Sequence, residues 1–350
     1  VDFGIYGVIT ETNTAELDGL VDAGVCGFKL FLGNTTGNLP CPSDGAVLEA
    51  FEILARRGKR ISIHAENSPI LFWREDRLQR SGRNTARDHL LARTDVVALE
   101  ALSKSCVLAE WTGARIHIVH ESTSLSLPYI EFYKSRGVDL TVETLPNYLY
   151  CSIESMEASA DGYKLRMNPP IREAFHQEPL WEALRSGLID FLSTDHAPHA
   201  THEKEGETIW DIACGFPGVE SSLALMLTAV HEGRLDLNRC VQITSAAAAK
   251  AFGLYGRKGT LSPGADADLV LVDLERKEAL TAERLSSRGK FSAYEGKEVT
   301  GWPIMTVRRG EVIMRDGEVQ AEPGSGRMVE THMPAPAPRN LDKHLASLTT

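Results

Sequence analysis

The stretch Phe191-Leu192-Ser193-Thr194-Asp195-His196-Ala197-Pro198-His199 carries an apolar run into an acid, two histidines and a proline. Side chains of these types ligate cations and move protons. The run before them, Gly187 to Leu192, has the length and continuity of a parallel strand covered on both faces, and Pro198 ends it by removing a ladder donor. Asp195 is therefore expected at a strand's C-terminal end, where α/β barrels and open α/β sheets carry their chemistry. Alone, the stretch reads equally well as a polar surface loop. Three earlier apolar runs that bear Lys29, His64 and His120 shift the balance. A single histidine after such a run is more often a hydrogen-bonded edge residue than a ligand. Lys29 is more telling: flanked by Phe28, Leu30 and Phe31, it is expensive to bury as a cation. It must snorkel, pair or lose its charge, and a lysine carboxylated by CO2 becomes an anion able to bridge two cations. Two histidines, one aspartate and one such lysine suit a borderline metal such as Zn2+.

The elements that must position these residues are six predicted strands: Phe3–Ile9, Gly24–Phe31 (ended by Gly33 and Asn34), Arg60–His64, Arg115–His120, Val138–Glu143 and the run before Asp195. Helices are predicted over Thr14–Ala23, Ala46–Arg57 and Asp95–Thr112, with a polar excursion from Arg74 to Arg93 between the last two. Strand–helix alternation of this kind builds a parallel sheet with right-handed crossovers. Helices are also expected over Gly218–Gly233 and near Thr244–Phe252. From Gly259 the texture changes to short Val-rich strands, Leu269–Asp273 and Val307–Ile313, with Arg309-Gly310 and Asp316-Gly317 turns, the pattern of a small β unit. The segment from Glu322, with Pro334-Ala335-Pro336-Ala337-Pro338, lacks periodicity and reads as extended or disordered.

Composition narrows the partners. The 350 residues are 43% hydrophobic and carry a net charge of -11, which argues against nucleic acid or an anionic membrane surface as partner. No apolar stretch approaches the roughly 20 residues of a membrane span, and no signal-peptide pattern opens the chain. Six scattered cysteines without a CxxC pair read as reduced thiols in a cytoplasmic protein.

Gly27-Phe28-Lys29-Leu30-Phe31, Ile63-His64-Ala65-Glu66-Asn67, His117-Ile118-Val119-His120 and Thr194 to His199 resemble the successive strand-end motifs of the cyclic amidohydrolases, the group of dihydroorotase, hydantoinase (dihydropyrimidinase) and allantoinase. The similarity extends to about Gly317, and Gly259–Asp273 with Tyr294-Glu295-Gly296 resembles the β-sandwich flanking these barrels. The resemblance implies an α/β fold, a TIM-like (β/α)8 barrel over 1–253, a β-sandwich part over 254–320 and a Pro-rich tail over 321–350. It implies a two-metal hydrolase, with Zn2+ as the metal, in which carboxylated Lys29 bridges, His64 and His120 hold one cation, and Asp195 holds the other and shuttles the proton. Asn168, His199 and Gly215 would bind a small cyclic amide, and self-association into homo-oligomers is expected. Met167-Asn168-Pro169-Pro170-Ile171-Arg172, His202-Glu203-Lys204 and Gly215-Phe216-Pro217-Gly218-Val219-Glu220 point within the group to dihydroorotase and pyrimidine biosynthesis. Plain turn chemistry also accounts for Asn168-Pro169-Pro170. Against dihydroorotase, Asn147 stands where relatives usually show His, and His64-Ala65-Glu66-Asn67 fits hydantoinases and allantoinases as well. Glu66 and Glu143 read most simply as supporting or capping groups.

One departure stands out. The group's first metal needs a His-x-His pair at the end of its first barrel strand, and none occurs among the 11 histidines. With Val1 opening directly on a strand-like run, the expectation is a barrel lacking its first two βα units. Such a chain would hold an incomplete site with weak or no activity, beside a full-length parent of ordinary activity. A catalytically silent scaffold is the remaining alternative.

Overall fold

The computed structural model describes residues 1–33, 39–331 and 333. Strands β1 (Tyr6–Val8), β2 (Gly27–Phe31), β3 (Arg60–His64), β4 (Arg115–Ile118), β5 (Leu140–Thr144) and β6 (Phe191–Leu192) form one parallel sheet in sequential order. Every residue of β3 and β4 is buried, as required of strands covered on both faces. Register sets Lys29 beside Ser62, Phe31 beside His64 and Glu143 beside Phe191. Six strands are the number expected of a barrel lacking two βα units; among the described residues no pairing joins β1 to β6, so the sheet is open and barrel closure is not seen.

The predicted helices are present as Leu17–Asp22, Asp44–Arg56, Asp95–Thr112 and Val219–His231. The helix near Thr244–Phe252 consists of a π turn, Gln242–Ala246, followed by Ala247–Ala251. The polar excursion from Arg74 to Arg93 is mostly helical, covered by Ser68–Arg80 and Ala86–Ala92. Asn67 caps the first, accepting the Ile70 N–H, and a Thr85–Asp88 capping box starts the second. The first helix buries only Ser68 and Leu71, too narrow a stripe to show as periodicity.

The C-terminal β unit is one antiparallel sheet, β7 (Leu269–Leu280), β8 (Lys297–Arg308), β9 (Glu311–Arg315) and β10 (Glu318–Val319), in the order β10-β9-β8-β7. It is a single layer among the described residues, where part of a sandwich was expected. The helix Val219–His231 lies on it: the Thr300 N–H donates to Thr228 Oγ1 at 3.0 Å. Gly301 has φ +98, and a Cβ there would lie 2.6 Å from that of Leu227, so only glycine admits this approach. Arg309-Gly310 and Asp316-Gly317, all with positive φ, make the two tight turns read from the sequence.

The tail begins ordered. Arg327 and Val329 exchange backbone hydrogen bonds with Phe3. Residues 334–350, with the Pro-Ala repeat, lie outside the described residues, as does Asn34.

Asn147 has a structural partner that accounts for its place. The Tyr294 hydroxyl, just before β8, donates to its Oδ1 at 2.7 Å with both residues buried. Tyr294→Phe should cost about 1–3 kcal/mol, because the orphaned acceptor cannot reach water. Urea unfolding checks this, and a negligible loss would contradict it.

Candidate active site

The cluster assembles at the C-terminal ends of the parallel strands. His64 is the last residue of β3, His120 lies two residues beyond β4, and Asp195 three beyond β6. His120 and Asp195 have φ +44 and +43, left-handed backbone that non-glycine residues seldom adopt and that clusters at functional sites. Nδ1 of His64 faces Nε2 of His120 at 3.0 Å, with ring centroids 4.7 Å apart. Nε2 of His64 lies 2.7 Å from a Glu66 oxygen, which also takes an N–H of Arg93. A carboxylate on one imidazole nitrogen fixes the tautomer and aims the other lone pair outward.

Charge in this cluster is set by burial. Burial lowers the pKa of both His64 and His120, the latter far below the usual histidine range, so both rings stay neutral with lone pairs to donate. Burial likewise lowers the Lys29 ammonium to about 8, opposed by the nearby Asp195 and Glu143 carboxylates. Burial raises the Asp195 carboxyl, against the opposing pull of Lys29. Glu66 goes the other way: burial pushes it up, but Arg93 and His64 together hold it below its ordinary value. The structure thus brings His64 and His120 into contact and sets Lys29 and Asp195 within electrostatic reach of each other.

The donor set fits a divalent cation. Two neutral imidazoles, a carboxylate and an amine of depressed basicity match a borderline metal, and Nδ1 of His120 is buried with no hydrogen-bond partner. A second acidic group, Asp2, Asp266 and Asp268, has its carboxylates close enough for an ion. The Lys258 ammonium sits among all three at 2.5–2.9 Å, so that cluster is an internal ion pair.

Asn168, His199 and Gly215 gather in a separate wall of loops. Asn168 Oδ1 lies 3.0 Å from Nε2 of His89, and His199 Nε2 lies 3.0 Å from the Cys214 carbonyl. The Gly215 N–H donates to the Arg166 carbonyl, while buried Lys204 donates to the carbonyls of Arg166, Ala213 and Gly215. Gly215 has φ +116, with Ala197 where a Cβ would go. Sequence reasoning gave no role to Arg93 or His89, and it named His117 and Lys204 only inside longer motifs. Only burial of a charge inside an apolar context could have flagged them, and their partners lie far away along the chain.

Residues 37–313 match the model of the Amidohydrolase family. The chain belongs to that family. Over 94% of its length it is 35% identical to an L-hydantoinase of Paenarthrobacter aurescens, covering 72% of that protein. An allantoinase of Rubrobacter xylanophilus is 34% identical, with 94% and 72% covered. The solved L-hydantoinase (dihydropyrimidinase) from Arthrobacter aurescens superposes with a TM-score of 0.91 at 34% identity, over 94% of this chain and 74% of that one. Amidohydrolase family membership therefore holds at the level of both sequence and fold, and these relatives bear the names hydantoinase and allantoinase where dihydroorotase was expected.

Proposed function

We propose that this amidohydrolase opens a cyclic amide by water, with a hydantoin-like or allantoin-like ring as substrate in place of dihydroorotate. The reading is carried by the facing nitrogens of His64 and His120, 3.0 Å apart, in a chain so similar to hydantoinases and an allantoinase. His64, His120 and Lys29, the last as a carboxylated amine, would hold a divalent cation such as Zn2+. When bound, such a cation polarises the ring carbonyl and makes water a better nucleophile. Asp195 takes the proton of the attacking water and returns it to the leaving ring nitrogen. Its burial and raised affinity for a proton suit both halves of that transfer. Asn168, His199 and Gly215 supply the wall against which the ring lies. The same reading includes a small-molecule substrate, self-association and a cytoplasmic setting. All six cysteines are free thiols, and no helix among the described residues is long and apolar enough to cross a membrane.

The test is a substrate panel of 5-substituted hydantoins, dihydrouracil, allantoin and dihydroorotate, run on the natural polypeptide that carries this sequence. Ring opening of a hydantoin or of allantoin should outpace that of dihydroorotate. The opposite order would restore the dihydroorotase reading, and no turnover of any ring would favour the silent scaffold.

A further inference from the structure

His117 and Glu143 lie behind the cluster and have no part in the chemistry above. The two oxygens of Glu143 do separate work. Oε1 accepts the backbone N–H of His120 at 3.4 Å, and Oε2 lies 3.1 Å from Nε2 of His117. Nδ1 of His117 lies 3.0 Å from the Thr141 hydroxyl, and its ring stacks on Phe191 with centroids 4.9 Å apart and planes 14° apart. His117 therefore stands on β4, bonds to two residues of β5 and packs on β6, the three strands leading to His120, Glu143 and Asp195. His120 needs support of this kind. Its left-handed backbone is unfavourable in a residue other than glycine and persists only where surroundings over-determine it.

We propose that Glu143 is a positioning residue: its carboxylate clamps the His120 N–H, and His117 holds that carboxylate in place. The pair fixes the left-handed turn from which the His120 ring meets His64, and Glu143 is not itself a ligand, although it lies within electrostatic reach of Lys29 and Asp195. The inference rests on the reading of His120 as a metal ligand.

The experiment measures Zn2+ affinity by competition with a chromophoric chelator, and the visible spectrum of the Co2+-loaded protein. Glu143→Ala should weaken binding about 10- to 100-fold, the usual cost of losing a group that orients a ligand. Glu143→Gln keeps an oxygen for the His120 N–H and should stay within about threefold of the parent, with an unchanged Co2+ spectrum. His120→Ala separates the two readings. If it binds Zn2+ as tightly as the parent, the ligand reading fails and the clamp with it. If it weakens binding while Glu143→Ala does not, the clamp alone is overturned. Equal losses in Glu143→Gln and Glu143→Ala, with an altered spectrum, would make Glu143 a ligand and also overturn it. Should Glu143→Ala fail to fold, His117→Gln and His117→Leu carry the same comparison. The glutamine keeps a donor toward Glu143 and should bind near the parent level, whereas the leucine should lose about tenfold; equal affinities would count against the clamp.

Discussion

Asp195→Asn should lower kcat for ring opening by about 10²- to 10⁴-fold, the range contributed by a positioned acid–base group. The substitution keeps the shape of the side chain and removes its capacity to carry a proton. It also keeps the backbone, because asparagine tolerates the left-handed φ of +43 that this position requires. A fall in rate with an unchanged melting temperature would therefore report on proton transfer and not on folding. Asp195 is one of the two acids that raise the Lys29 pKa against burial, so in Asp195→Asn the Lys29 amine is neutral over a wider pH range. Initial rates and bound metal should be measured together. Loss of rate with metal retained supports the shuttle, and a variant retaining a tenth of the parental rate would remove Asp195 from that role.

The residues legible in the sequence are those whose meaning is local. His64, His120 and Asp195 each follow an apolar strand, and Lys29 sits among aromatic and aliphatic neighbours that make its charge conspicuous. Their convergence follows from parallel topology alone, since consecutive parallel strands end on one face. What supports them is long-range and left no local mark: Arg93 reaches Glu66 across 27 positions, His117 reaches Glu143 across 26, and His89 reaches Asn168 across 79. The left-handed turns at His120 and Asp195 were hidden for a related reason, because neither residue is the glycine that normally announces such a backbone. The loops that pointed to dihydroorotase say little about the ring, because they are held by backbone groups. Gly215 is fixed through the Arg166 carbonyl and Lys204, contacts that shape a wall without choosing which ring lies against it. Alternation along the strands of the small sheet shows a covered face but not whether a second sheet or a helix covers it, and the sandwich expectation came from the resemblance alone.

Arg93→Met should destabilise the fold by about 3–5 kcal/mol, the cost of leaving one partner of a buried ion pair unpaired. Arg93 and Glu66 are both buried, and Arg93 is the largest influence holding Glu66 below its ordinary value against burial. The pH dependence has a definite sign. With its folded value depressed, Glu66 in the parent contributes stability above its ordinary value of 4.5, and that contribution is lost as pH falls through the folded value. Without Arg93, burial raises the folded value. The variant is then least penalised below the ordinary value and loses stability as pH rises. The gap between parent and variant should thus be wide near neutrality and narrow toward about pH 4, as read from urea unfolding. The double variant Glu66→Gln/Arg93→Met removes the stranded charge and should recover much of the loss. Its metal affinity should stay low even so, because the amide cannot hold the His64 imidazole as strongly as the carboxylate does. A gap independent of pH, or a double variant no more stable than Arg93→Met, would show that the Arg93–Glu66 pair does not govern the charge beneath His64.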